Sequence, residues 1–414
     1  MKFFFIATDP PYKGFGGANI INWSFISFLL EKKHEVYLFV DPPREDFENE
    51  YDKKIIDMLF ESTKKMGCEV ISININRKKI IKKNLFQKLF SFNFEDFFPT
   101  CYYSEEIYEI INKKYLEIKP DILVCFGAPA IHWVNKIKAK KIAFSHDIER
   151  ISYAHLKISQ LLSIKFFKNI IIYLRSRIFF KKMIKEFNQI DLPFAFSNDF
   201  RKNQLKFGQK KCKHFLPPYY DPQKENKFYF KKKNNKFKIL LVGLMSTVNR
   251  TQLNLLENKV LPYLEKNYDV NQIELHLIGI KKEKLTNNLK KKNYIFARGF
   301  VEDYHSELFS CDLFYCYTPL ELGFRTRLLD ALALGKPIIT SELDAVSFPF
   351  LKNDHNCYII KNNNNVGKKI IEIILNSEQN KIIGKNARKS FLENCTFETA
   401  GEKLEKEIIK LINY

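Results

Sequence analysis

The chain contains no Cys-x-x-Cys pair and no ladder of alternating cysteine and histidine, although it has eight cysteines. A structural zinc site or a disulfide framework is therefore disfavoured. Several cysteines lie inside apolar runs, Cys125 within Asp121–Phe126 among them. Reduced, mostly buried thiols in a cytosolic protein are the expectation. Long apolar stretches are missing too. The most lipid-like segment, Leu161–Met183, is interrupted by Lys165, Lys168, Arg175, Arg177, Lys181 and Lys182, so it is not expected to span a bilayer. Phe3–Ala7 is too short for a signal-peptide core and stops at Asp9-Pro10-Pro11. No short-period repeat is found.

Acidic residues are outnumbered, 47 against 68 lysines and arginines, leaving a formal charge of +21. Such a balance suits phosphorylated small molecules or an acidic membrane surface. Part of it follows from a codon bias in which lysine rises with asparagine, isoleucine and phenylalanine. Nucleic acid is not expected as a partner, because no recognition module is present. With 414 residues, 45% of them hydrophobic and 28% charged, the chain suits two folded domains.

Both halves alternate short apolar strands with helical stretches. Strands are expected at Phe3–Ala7, Val36–Val40, Glu69–Ile73, Ile122–Phe126, Ile142–Ser145 and Phe194–Ser197, with a helix over Asn22–Lys32. A polar, lysine-rich segment from Pro217 to Asn235 reads as the linker. The pattern then restarts, with strands at Phe237–Val242, Glu274–Ile278, Leu313–Tyr317, Ile338–Thr340 and Tyr358–Ile360. Helices are expected at Gln252–Lys266, Arg325–Leu334 and Val366–Asn376. Buried runs separated by helices imply parallel sheets covered on both faces. The expected architecture is α/β: two doubly wound, Rossmann-like domains facing a central cleft, at 1–222 and 236–395, with 396–414 crossing back onto the first. Two stretches that are basic and apolar together, Lys78–Phe92 and Leu161–Lys185, are either membrane-contacting surfaces or surface helices packed inward.

The segment Pro319-Leu320-Glu321-Leu322-Gly323-Phe324-Arg325-Thr326-Arg327-Leu328-Leu329-Asp330 follows an apolar strand and enters a helix near Arg325. Gly323 would let backbone amides approach a ligand. The first helical turn offers unpaired N–H groups and the positive end of the helix dipole, a seat for a diphosphate. Arg325 and Arg327 would add directed cationic donors. Asp330 shares a helical face with Thr326 and Arg327, where it could bind ribose hydroxyls or merely pair with Arg327.

This segment resembles the donor-binding motif of retaining GT-B glycosyltransferases of family four. Gly323, Arg325 and Arg327 stand for its Gly-x-Arg-x-Lys, with Arg for Lys, and Asp330-Ala331 for its Glu-Ala. The resemblance implies Arg325 and Arg327 as diphosphate ligands, with Phe324 and Thr326 beside them, and Asp330 as the ribose ligand. Glu321 and Asp330 are nine residues apart where the family has eight, which puts the sugar-contacting role of Glu321 in doubt. Gly243 with Asn249-Arg250 looks like the family's first C-terminal strand and helix, making Arg250 a second phosphate contact or a solvated arginine. Gly299–Asp303 resembles a Gly-x-Val-x-Asp turn near the base. Gly16-Gly17-Ala18 and His34-Glu35-Val36 resemble the N-terminal glycine loop and the turn after its helix, with Lys33 replacing a glycine. Ser145–Arg150 resembles a His-Asn/Asp-x-Glu segment in which His146 contacts the sugar or acceptor, or else caps nearby backbone. Phe397–Leu411 resembles the family's terminal helix.

What the resemblance implies is metal-independent, retaining transfer of a hexose-type unit from a UDP- or GDP-sugar to a hydroxyl of a glycan or lipid-linked acceptor. Surface polysaccharide or lipopolysaccharide assembly is the expected setting, in the cytoplasm or at the inner face of the membrane. No Asp-x-Asp metal clamp lies near the motif, and no cofactor beyond the donor is expected. A nucleotide-sugar 2-epimerase and a non-catalytic protein of the same architecture are the rival readings.

Overall fold

The computed structural model describes residues 1–13, 17–40, 61–71, 105–145, 178, 181, 183–206, 208–225, 235–243, 247–318 and 324–413. The chain falls into two compact units, Met1–Pro218 with Gly401–Tyr414, and Tyr219–Ala400.

The first unit is built on a parallel sheet of β1 (Lys2–Ala7), β2 (Glu35–Val40), β3 (Glu69–Ile71), β4 (Ile122–Phe126), β5 (Lys141–Ser145), β6 (Leu192–Ala195) and β7 (Lys213–His214), ordered 3-2-1-4-5-6-7. The central strands are buried on both faces, Phe3 to Ala7 and Leu123 to Cys125 all at 0% exposure. That is why they read as continuous apolar runs rather than alternating ones. Phenylalanines stack across the central strands, Phe126 on Phe144 at 4.9 Å and Phe144 on Phe194 at 5.2 Å. The C-terminal helix Glu402–Asn413 packs within this unit. Glu405 accepts from His34 Nε2 at 2.9 Å, Glu407 pairs with Lys213, and Lys140 Nζ donates to the carbonyls of Leu411 and Ile412 at 2.8 and 2.7 Å. Lysine at the exposed helix end satisfies carbonyls that have no partner further along the helix.

The second unit repeats the plan with β8 (Phe237–Val242), β9 (Ile273–Ile278), β10 (Ile295–Gly299), β11 (Leu313–Cys316), β12 (Ile338–Ser341) and β13 (Tyr358–Ile360), ordered 10-9-8-11-12-13. All pairings in both sheets are parallel. The strand order reverses beside β1 and beside β8, and ligands of such sheets bind at the carboxyl ends next to the reversal.

Three expectations need correction. Tyr219 to Pro222, placed in the first domain, belong to the second unit: Tyr219 Oη donates to Asp330 and Asp221 holds Arg388 in a bidentate pair at 2.7 and 2.6 Å. The second unit likewise runs on to Ala400, beyond the expected end at 395. The continuous helix expected at Gln252–Lys266 starts earlier, at Thr247, and widens into a π-helical turn over Leu256–Val260. That turn directly precedes Pro262, whose ring cannot follow an unmodified helix.

The lysine-rich centre of the linker, Lys78–Phe92 and most of Leu161–Lys185 lie outside the described residues, so neither proposed membrane surface can be placed. No described helix is long and apolar enough to cross a membrane. Seven cysteines are described, all as free thiols and six of them buried.

Candidate functional site

The site is built at the carboxyl ends of β8 and β11. After β11 the chain enters the helix Thr326–Ala333, with Arg325 at its N-cap position making no side-chain hydrogen bond to the helix amides. The helix start therefore lacks the Ser, Thr or Asp cap that commonly occupies first-turn N–H groups. Leu328, Leu329, Ala331 and Leu332 are fully buried, so packing fixes the helix axis and its half-buried first turn.

Arg327, on that first turn, donates from Nη1 to the carbonyl oxygen of Val242, the last residue of β8. This bond ties the guanidinium to the strand end beside the topological reversal. Cys316, ending β11, has its thiol pushed up to about 12 by burial, against the opposing pull of Arg327 and Arg325. It stays protonated and adds no charge near the arginines.

Arg325, expected as a diphosphate ligand, has a partner within the protein. Its side chain is buried, and Nε donates to Asp344 Oδ1 at 2.8 Å. Asp344 is held in turn: Oδ2 accepts from the Thr318 amide at 2.9 Å and from Ser341 Oγ at 2.8 Å. One carboxylate thus ties the end of β11, the start of the donor-type helix and the cap of the next short helix. Buried charge needs such a partner. Within this pair, Arg325 Nη2 is buried without a hydrogen-bond partner. Phe324 packs on Phe348 with ring centroids 4.7 Å apart, and Thr326 is half-buried on the helix start.

Asp330, expected as the ribose ligand, also has partners within the protein. It is buried, and its Oδ1 accepts from Tyr219 Oη at 2.8 Å and lies 3.3 Å from His305 Nε2. His305 Nε2 is 2.6 Å from Tyr220 Oη. Burial first, and the Asp330 charge second, hold both tyrosine hydroxyls well above their ordinary pKa. Asp330 therefore ties the start of the second unit to the helix. Asp344, His305, Tyr219 and Tyr220 escaped the sequence reading. Asp344 alone left a local signal, since Ser341 and Asp344 have the spacing of a helix capping pair.

Of the remaining candidates, Arg250 sits exposed on the helix Thr247–Leu255, and Gly17 opens the helix Gly17–Glu31 after β1. Gly299 ends β10 at φ 60°, with Asp303 capping the next helix through the Ser306 amide at 2.9 Å. Gly16, His146, Glu321 and Gly323 lie outside the described residues, so the structure does not place them.

Residues 236–376 match the family model for glycosyl transferases group 1. Both units align with solved glycosyltransferase structures. HepE from Anabaena in complex with UDP-glucose is 12% identical, with 99% of this chain and 100% of that one covered at a TM-score of 0.68. The fold is GT-B. Two further GT-B structures agree. Sucrose-phosphate synthase from Thermosynechococcus elongatus is 12% identical, covering 100% and 99% at 0.66. TarM from S. aureus, in complex with fondaparinux, alpha-GlcNAc-glycerol and UDP, is 14% identical, covering 100% of each chain at 0.65. No curated protein matches the sequence. The matched family segment contains the Arg327 helix, the Asp344 tie and β8, while Tyr219 and Tyr220 lie before it.

Proposed function

We propose that this GT-B protein is a retaining, metal-independent glycosyltransferase that moves a sugar from a UDP- or GDP-sugar to a hydroxyl of a glycan or lipid-linked acceptor. The observation that carries the reading is Arg327 on the first turn of Thr326–Ala333, tied to the end of β8 inside the group 1 segment. There the positive end of the helix and the guanidinium together suit the β-phosphate that gains charge as the glycosidic bond breaks. Arg325 and Asp330 support that seat from within, one through Asp344 and the other through Tyr219 and His305. UDP is the first base to test, since HepE and TarM are both described with UDP. His146 and Glu321 are proposed at the transferring sugar by resemblance alone. The acceptor is proposed to belong to surface glycan assembly, with the enzyme in the cytoplasm or at the inner membrane face.

Thermal unfolding with UDP, GDP and their sugars is the primary test, because a ligand that binds only the folded state raises the melting temperature. NMR of the stabilising sugar nucleotide then separates transfer from 2-epimerisation: epimerisation changes the donor with no acceptor present. Melting unaffected by every nucleotide would refute the proposal.

A further inference from the structure

Tyr219 and Tyr220, at the start of the second unit, are buried, and their hydroxyls bond to side chains of that unit. The Tyr219 phenol is fixed at several points. Its amide donates to the Cys395 carbonyl at 2.8 Å, and its ring meets Phe391 edge-on at 6.3 Å and Tyr220 at 5.3 Å. From this fully buried ring, Oη donates to Asp330 Oδ1 at 2.8 Å. Burial first, and the Asp330 charge second, keep the phenol protonated, so it is the donor of the pair. His305 Nε2, at 3.3 Å, is the longer contact of the same oxygen, and it lies closer to Tyr220 Oη, at 2.6 Å. Tyr219 is therefore the group that sets the orientation of the Asp330 carboxylate.

The second carboxylate oxygen is in a different state. Oδ2 accepts no hydrogen bond from the described residues, yet it is not sealed in the interior, and the side chain keeps 6% exposure. A carboxylate is planar, so holding Oδ1 also fixes the direction in which Oδ2 presents its lone pairs. A largely buried carboxylate oxygen is costly unless something donates to it. Asp330 lies three residues beyond Arg327 on one face of their helix, about 4.5 Å along the axis. A ribose joined to a pyrophosphate at Arg327 spans that distance, and its hydroxyls are donors.

We propose that Tyr219 is a positioning residue for the donor nucleotide: it occupies Asp330 Oδ1 and leaves Oδ2 alone to accept from one ribose hydroxyl. This rests on the transferase reading above, with Asp330 at the ribose. A carboxylate with both oxygens free takes both hydroxyls of a cis-diol. Asp330 stands where the resembling motif has a glutamate, one methylene longer, and one of its oxygens is already engaged. The two ribose hydroxyls thereby become unequal. One is recognised by a charge-assisted bond and the other is not.

Isothermal titration of the wild type with UDP and with GDP identifies the base; the nucleotide that binds is then compared with its 2′-deoxy and 3′-deoxy forms. Loss of one hydroxyl is expected to weaken binding by about tenfold or more, and loss of the other by less than about twofold. Tyr219→Phe keeps the ring and removes only the donor, which frees Oδ1. The affinities of its two deoxy forms should then differ by less than about threefold. Tyr220→Phe breaks the contact to His305 and leaves the Tyr219 bond, so it should keep the wild-type inequality. Melting of each protein shows that it is folded at the titration temperature; a purely structural tie would change melting and leave the inequality untouched. Equal losses with both deoxy forms in the wild type overturn the single-oxygen contact without recourse to any variant. A Tyr219→Phe protein that discriminates as the wild type does, or a Tyr220→Phe protein that does not, overturns the assignment to Tyr219. Binding of neither UDP nor GDP would instead overturn the donor reading itself.

Discussion

Replacing Asp344 with alanine tests the internal support of the donor helix. Asp344 is only 1% exposed and Arg325 8%, and the carboxylate takes three donors: Arg325 Nε, the Thr318 amide and Ser341 Oγ. Truncation leaves the Arg325 charge buried with no counter-ion and strands the Thr318 amide; Ser341 can rotate away. Breaking one side of a buried pair costs about 3–5 kcal/mol. For a domain of this size each kcal/mol moves the melting midpoint by about 2–4 °C, giving a fall of roughly 6–20 °C. The midpoint is read by circular dichroism with and without UDP, the UDP effect being measured at a temperature where both proteins remain folded. Arg325→Met/Asp344→Leu, which removes both charges and keeps volume, should recover much of the loss, and the double-mutant cycle gives the coupling. An Asp344→Ala midpoint within about 2 °C of wild type would refute the buried pair.

Gly384→Ala places a methyl group against the Gly335 carbonyl, where the helix Ser377–Asn394 crosses the end of Thr326–Ala333; urea unfolding should show a loss of about 1–3 kcal/mol. At His276, burial holds the imidazole below its ordinary pKa; the bond from Glu274 opposes this, while Lys238 and Arg298 push further down. The unfolded chain therefore takes up the proton first. The stability it contributes is complete above the unfolded value of about 6.5 and is lost as pH falls through the lower folded value. His276→Phe should accordingly lose less melting temperature than the wild type on going from about pH 7 to about pH 5, and an equal loss would sink that account.

The strands at Ile122–Phe126, Phe237–Val242 and Tyr358–Ile360 were legible to the residue. Burial on both faces leaves an unbroken apolar run, and Pro120 and Lys236 bound two of them sharply. β10 was missed because it is an edge strand whose residues alternate between partial burial and exposure, with Ala297, Arg298 and Gly299 weakening any strand signal. β7, two residues long, has no periodicity to detect. At the site, the position of Arg327 on its helix could be read from spacing, because three- and four-residue intervals act locally. The internal contacts of Arg325 and Asp330 could not. Their partners, Asp344, Tyr219 and His305, are 19, 111 and 25 residues away and meet them only in the folded unit. Spacing alone does not separate a cation facing a ligand from one facing a buried carboxylate.

Arg327 and the start of its helix are proposed to hold the donor pyrophosphate. Isothermal titration of UDP into the wild type and Arg327→Ala, with melting of both proteins as the folding control, measures this directly. A charge-assisted bond lost to alanine, about 1.5–3 kcal/mol, predicts binding weaker by about tenfold or more with the fold retained. Equal UDP affinity in the two proteins would contradict it.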